Sequence, residues 1–306
     1  MPVDDATAAF LAAMAQAGPP VHELDPPTAR VATGALQPLY GQGPEPDSVE
    51  DVKLAVTGGT IELRVLRPFS PRGVLLYLHG GGWVIGSIEE YDTLGRILAA
   101  RTGMTTVLAG YRKAPEHPYP TPVEDAWAAL AWTDRHRAEL ASDGAPLVIA
   151  GDSAGGNLAA VCALRARDAG GPHLDAQVLV YPATRLDSEY PSYHEPECQL
   201  LLNSDSMRWF LDHYIPVERR AERDASPGGA ETLAGLPPTV LLTAEFDPLR
   251  DEGEEFAARL EAAGVPVRAR RFERQMHTFF QMVNILPGSA EGIDYVVDGL
   301  DRLFPR

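Results

Sequence analysis

The sequence predicts an α/β fold, a mostly parallel eight-stranded sheet flanked by helices. Eight short β-rich runs recur from about residue 49 onward, and helical stretches separate most of the later ones. Alternation of that kind implies parallel pairing with right-handed crossovers. The chain has 306 residues, 45% of them hydrophobic and 23% charged. A chain of that size buries roughly 75% of its unfolded surface, enough for a core without staples. About 150 residues per domain would suggest two domains, but large α/β sheets of this length fold as one unit.

Residues 1–45 open with an Ala-rich helical stretch and then break at Gly18-Pro19-Pro20, Pro26-Pro27 and Gly41-Gln42-Gly43-Pro44, which are turn signals. They read as a helical preface outside the sheet, with residues 46–306 as the main domain. The expected strands are Val49–Val56, Ile61–Leu66, Val74–Leu78, Thr105–Ala109, Leu147–Ala150, Gln177–Tyr181, Val240–Ala244 and Val267–Phe272. Thr57-Gly58-Gly59-Thr60 joins the first two as a hairpin. Helices are expected over Glu89–Arg101, Val123–Arg137, Ala154–Asp168, Pro248–Ala263 and Ala290–Leu303. Residues 183–235 interrupt the rhythm with aromatic and Pro-rich sequence and one helix-like piece, Ser206–Tyr214. An insertion there lies over the carboxyl ends of the strands, where open α/β sheets keep their sites.

The formal charge of −17 is spread along the chain, and no run of Lys or Arg could follow a phosphate backbone, which argues against a nucleic-acid partner. Asp4 and Asp5 stand where a signal peptide needs positive charge, and the chain reads as cytoplasmic. No window nears the ~18 continuous apolar residues of a membrane span. Two cysteines, Cys162 and Cys198, make no disulfide framework; the first reads as packing and the second has no basic neighbour in sequence to lower its pKa.

Gly151-Asp152-Ser153-Ala154-Gly155 has the G-x-S-x-G form and follows Leu147-Val148-Ile149-Ala150 directly. A serine hydroxyl becomes a useful nucleophile at a sharp strand-to-helix turn beside a base, and the small flanking residues leave room for that turn. On the pentapeptide alone, a serine that merely caps a helix is an equal reading. Upstream, Val74–Leu78 runs into His79-Gly80-Gly81-Gly82-Trp83, whose glycines leave backbone N–H groups unobstructed. The N–H groups of Gly81, Gly82 and Ala154 are the candidates for an oxyanion hole. His79 reads as a buried anchor of that loop.

A hydrolytic triad on such a scaffold needs an acid and then a histidine after the elbow. Val240–Ala244 leads into Glu245-Phe246-Asp247-Pro248-Leu249, with Asp247 just beyond the strand and before a Pro-initiated helix. Glu245 and Asp251 are rivals for that role. All other histidines precede Asp247, so His277 alone satisfies the order. No G-x-G-x-x-G, G-x-x-x-x-G-K-[ST] or H-E-x-x-H pattern offers a nucleotide or zinc site.

Taken together, His79–Gly82, Tyr111–Pro120, Gly151–Asn157, Asp247–Gly253 and His277 make the chain resemble the bacterial hormone-sensitive-lipase-like esterases (family IV) of the α/β-hydrolase superfamily. The resemblance implies an α/β-hydrolase fold with a helical cap, formed by residues 1–45 and about 185–235. It implies a serine carboxylic-ester hydrolase with no cofactor, with Ser153 as nucleophile, His277 as base and Asp247 as its orienting acid. Trp209, Phe210 and Tyr214 are then candidates for the pocket wall, with packing of the cap against the core an equal reading, and Trp83 is the better candidate, its bulk favouring a short acyl group. Tyr111–Pro120 is scaffold, in which Arg112 and Glu116 make internal polar contacts. Thr278 departs from the family, which usually carries Gly after the catalytic His. The same motifs suit amide or formamide hydrolysis, and a non-catalytic receptor would not need all three triad positions filled. The expected partner is a small ester, and a homo-oligomer is compatible with the sequence.

Overall fold

Val74–Leu78 is five apolar residues long, too short for a stable helix and buried on both sides as a central parallel strand should be. In the computed structural model, which describes residues 3–305, it is β3 of one eight-stranded sheet. The other strands are β1 (Ser48–Val56), β2 (Gly59–Arg67), β4 (Thr105–Gly110), β5 (Leu147–Asp152), β6 (Ala176–Val180), β7 (Thr239–Phe246) and β8 (Val267–Met276). Their order across the sheet is β1-β2-β4-β3-β5-β6-β7-β8. β2 pairs antiparallel with β1 and with β4, and all later pairings are parallel.

The helices are α1 (Asp5–Ala17), α2 (Pro26–Gly34), α3 (Ile88–Thr102), α4 (Thr121–Arg135), α5 (Arg137–Leu140), α6 (Ala154–Ala169), α7 (Ser204–Tyr214), α8 (Arg250–Ala262) and α9 (Pro287–Leu303). Successive strand residues point to opposite faces, and the two cores follow that period. Val74, Leu76, Leu78, Ile149 and Leu241 pack with α4, α6 and α8 on one face. Leu75, Tyr77, Val148, Val240 and Leu242 pack with α3 and α9 on the other. Asp4 caps α1 and Asp25 caps α2, each carboxylate accepting a backbone N–H of the first turn.

β8 differs from its expected end at Phe272. The run Glu273-Arg274-Gln275 is polar, which in sequence looks like the loss of a strand. The pairing passes from Ala244↔Phe272 to Phe246↔Met276, two residues on one strand against four on the other, and Arg274 sits at φ 62° inside this bulge. The bulge carries the strand on to Met276, so Asp247 and His277 are the next residues after a paired position.

Tyr111–Pro120 is scaffold, as its sequence suggests. Arg112 forms a bidentate pair with buried Asp125, at 2.8 and 2.7 Å. Glu116 pairs with Arg30 of α2, whose guanidinium also donates to the carbonyls of Val84 and Ala114. That cluster ties the N-terminal segment to the chain on both sides of β4.

Candidate active site

Strand β5 ends at Asp152 and α6 begins at Ala154, so Ser153 is the whole turn between them, at φ 55° and ψ −120°. A non-glycine residue in that region is strained and needs surrounding structure to hold it. The hold is visible. Ser153 N–H donates to Val180 O, Ser153 O accepts from Ala183 N–H and Asn157 N–H, and Asn157 Nδ2 donates to Ala183 O. At Gly155 a Cβ would run into the carbonyl oxygens of Leu78 and His79, so glycine lets the first turn of α6 press on the end of β3. The elbow and the glycine loop are thereby packed together.

Parallel register does the rest. Leu78 pairs with Gly151 at the carboxyl ends of β3 and β5, while β7 and β8 deliver Asp247 and His277 at the same edge. Ser153 Oγ lies 2.9 Å from His277 Nε2, and His277 Nδ1 lies 2.7 Å from Asp247 Oδ2. Asp247 Oδ1 accepts the N–H of Leu249 at 2.8 Å. Asp247 is fully buried and His277 nearly so. The two rival acids point elsewhere: Asp251 binds Ser192 N–H and Arg250, and Glu245 Oε2 takes Arg274 N–H in the bulge.

Gly81 and Gly82 turn at φ 111° and 55°. Among the described residues no acceptor takes the N–H of Gly81, Gly82 or Ala154, which leaves three donors on the two segments beside Ser153. His79 is the anchor it was read to be. Its ring stacks on Tyr111 at 4.3 Å, Nδ1–H donates to Gly80 O at 2.7 Å, and burial pushes the imidazole down to about 3, so it is neutral.

Asp152, to which the sequence reading assigned no role, lies beneath this loop. Its buried carboxylate accepts from Gly80 N–H at 3.0 Å, Tyr77 OH at 3.0 Å and Tyr91 OH at 2.8 Å. Burial pushes it up to about 6, against the pull of those hydrogen bonds and of His277. Nothing in sequence pairs Tyr77 and Tyr91 with the elbow. The period-2 pattern of β3 does place Tyr77 on the α3 face, and that is the one available signal.

The site opens into a cavity of about 540 Å³, lined by Ser153, His277, the glycine loop, α2, the residues around 200–210 and 277–282. Of the four aromatic wall candidates, Trp83 and Phe210 line it; Trp209 and Tyr214 do not. The helical period of α7 explains the difference. Met207, Phe210, Leu211 and Tyr214 share its buried face, whereas Trp209 sits about 100° round from Phe210. Tyr214 stands behind the wall, its ring stacked on Trp83 at 4.3 Å and 2°. From the N-terminal segment Leu11, Met14, Leu36 and Tyr40 join the lining, and those positions had not been singled out.

Cys198 also departs from its sequence reading. Arg250 Nη1 lies 3.7 Å from its sulfur, a basic neighbour supplied by the fold from 52 residues away. Burial still pushes the thiol up, to about 11, despite that guanidinium.

Comparison with known proteins agrees with this geometry. A family described by its alpha/beta hydrolase fold matches residues 75–281. Carboxylesterase NlhH of Mycobacterium tuberculosis (strain ATCC 25618 / H37Rv) is 41% identical over 234 residues, covering 75% of this chain and 73% of its own. Ethyl acetate hydrolase of Pseudomonas putida is 34% identical over 297 residues, 92% of each chain. The solved hyperthermophilic esterase of the archaeon Pyrobaculum calidifontis is 36% identical and superposes with a TM-score of 0.92 over 99% of both chains. Fold and relatives define the class, a carboxylic ester hydrolase with an α/β-hydrolase fold. The chain belongs, within that class, to the hormone-sensitive-lipase-like esterases. Among the described residues no helix is long and apolar enough to cross a membrane.

Proposed function

We propose that the chain hydrolyses short-acyl esters through an acyl-enzyme on Ser153. The observation that carries the reading is the unbroken hydrogen-bonded line Ser153 Oγ, His277, Asp247 at 2.9 and 2.7 Å. His277 Nε2 takes the hydroxyl proton as Oγ bonds to the ester carbonyl carbon; the proton then goes to the departing alcohol oxygen as the C–O bond breaks. Water repeats the sequence on the acyl-enzyme and leaves the carboxylic acid. The N–H groups of Gly81, Gly82 and Ala154 receive the oxyanion, and one such donor is worth about 10² or more in kcat. Asp247 keeps Nδ1 protonated so that Nε2 is the acceptor.

Residues 1–45 and about 185–235 act as the cap in this reading, since both contribute cavity wall. Trp83, backed by Tyr214, and Phe210 stand next to the oxyanion glycines and leave a short acyl slot; the relative named ethyl acetate hydrolase is in keeping with it. The test is the kcat/KM profile on p-nitrophenyl esters of increasing acyl length, with Ser153→Ala as control. Each fitted methylene adds ~0.8 kcal/mol until the slot ends, which predicts a maximum at about two to six carbons. A maximum on long chains would remove the short-acyl reading, and turnover by folded Ser153→Ala would remove the nucleophile.

A further inference from the structure

Two carboxyl side chains in the cavity take no step in ester cleavage, Asp152 and Glu90, and of these Asp152 is bound by Gly80, Tyr77 and Tyr91. Glu90 lines the same space as Ser153, among mostly apolar residues. Its backbone N–H and one carboxylate oxygen are accounted for by the N-cap Ser87: Glu90 N–H donates to Ser87 Oγ at 3.3 Å and Ser87 Oγ donates to Glu90 Oε1 at 3.1 Å. Among the described residues the other oxygen has no hydrogen-bond partner, and no cationic nitrogen lies within 4.0 Å of the carboxylate. The contrast with the preceding residue is direct, since exposed Glu89 has Arg64 at 3.6 Å. Among the described residues Lys113 is the positive group whose field reaches Glu90, and it does not line the cavity. Burial accordingly holds the Glu90 carboxyl above its ordinary range, with Ser87 and Lys113 pulling it back and Glu89 pushing the same way as burial.

The surroundings of Glu90 suit a cation. Tyr40 lines the cavity and is close enough for the Glu90 charge to help hold its phenol up at about 12, after burial itself. Tyr91 follows Glu90 in the chain and also lines the cavity. Tyr40 OH donates to Met282 Sδ at 3.7 Å and Tyr91 OH contacts Gln281, so these residues form one wall. A partly buried carboxylate with aromatic rings beside it attracts a compact organic cation by charge and by the ring quadrupoles. The net charge of −17 draws the same ligands toward the molecule. Phe210 and Trp83 lie on the Gly82 side, where a Cβ on Gly82 would meet the Phe210 ring.

We propose that Tyr40, Glu90 and Tyr91 form a cation subsite in the cavity, and that the preferred esters carry an alkylammonium group on the alcohol side. The assignment of sides rests on the short-acyl reading above, which gives the acyl group to the Trp83–Phe210 wall. Glu90 is thus a specificity residue.

Two acetates of one shape test it, 2-(trimethylammonio)ethyl acetate and 3,3-dimethylbutyl acetate, which differ in charge alone. Their kcat/KM ratio is measured at about 0.15 M salt, where fields from distant charges are screened, for wild type, Glu90→Gln and Glu89→Gln. Because each variant supplies its own ratio, differences in folded fraction cancel. The expected result is a cationic-to-neutral ratio roughly tenfold lower in Glu90→Gln than in wild type, carried by KM, with Glu89→Gln within about twofold of wild type. An equal ratio in wild type and Glu90→Gln overturns the subsite. So does an equal fall in Glu89→Gln, which would make the effect one of overall charge. Hydrolysis of the neutral acetate without any preference leaves the ester reading standing, hydrolysis of neither while p-nitrophenyl acetate is still cleaved overturns the subsite alone, and loss of p-nitrophenyl acetate cleavage as well overturns both.

Discussion

Three carboxylates near the end of β7 are candidates for the triad acid, and their surroundings predict very different costs of neutralisation. In Asp247→Asn the amide oxygen must keep the Leu249 N–H, 2.8 Å away, because that group can only donate. The NH2 then faces His277 Nδ1 across the present 2.7 Å contact. Two donors cannot share that line, so Nδ1 gives up its proton and the imidazole carries it on Nε2. There it points at Ser153 Oγ, 2.9 Å away, where the reaction requires an acceptor. The wrong tautomer costs about 10⁴ in kcat in serine hydrolases of this design, or ~5.5 kcal/mol of barrier. Asp251 instead accepts Ser192 N–H at 2.9 Å and pairs with Arg250, so Asp251→Asn loses a part-exposed ion pair and changes kcat by less than about threefold. Glu245→Gln keeps an oxygen for Arg274 N–H and has the same small effect. The assay is kcat on p-nitrophenyl acetate for the three variants, with circular dichroism to establish the fold of each. An Asp247→Asn enzyme within about tenfold of wild type, or Asp251→Asn slower than Asp247→Asn, would refute the assignment.

Asp152→Asn should stabilise the protein progressively, relative to wild type, as pH rises from about 4 to 7. The folded-state carboxyl is raised from 3.8 to about 6, so the folded protein holds a proton that the unfolded chain releases across that window. Wild type then loses ~3 kcal/mol that Asn never loses, and chemical unfolding of both proteins at the two ends of the window reads the difference. Arg30→Ala removes bonds to Val84 O, Ala114 O and Glu116 together and should lower Tm by roughly 2–4 °C while raising KM more than it lowers kcat, because α2 lines the cavity. Gly82→Ala should cost about 10² in kcat by driving a methyl into the Phe210 ring, and Phe210→Ala in the same chain should recover much of it; kinetics of the double variant without recovery would free Phe210 of that contact.

What the chain order of a fold forces could be read without coordinates. Ser153, an acid and His277 were legible because a nucleophile elbow and the sequence Ser, acid, His leave few histidines to choose from. The choice among Glu245, Asp247 and Asp251 is also local, being set by where β7 stops. The cavity wall was not legible in the same way, because it is assembled from residues near 11, 40, 83, 210 and 282 that no short window contains. An amphipathic period tells which face of α7 is buried, so Phe210 and Tyr214 look alike in sequence. Only the position of Trp83 makes one of them wall and the other backing. In sequence Glu90 is only a position inside the helix expected over Glu89–Arg101, and the structure adds that the Ser87 hydroxyl holds its backbone N–H and one carboxylate oxygen. Its place in the cavity wall depends on which way the first turn of α3 faces.

Thr278 shows where sequence and structure meet. Its family counterpart is usually glycine, and the structure shows why: the residue sits at φ 75°, in the left-handed region that β-branched side chains avoid. Its hydroxyl is buried with no hydrogen-bond partner, so the side chain repays none of that strain by a polar contact. The conformation is held from both sides instead. His277 before it is bonded at each ring nitrogen, and Phe279 after it is fully buried against Tyr181 and Phe272. With both neighbours fixed, the backbone between them has no freedom to relax, and the strain is carried by the segment that aims the imidazole.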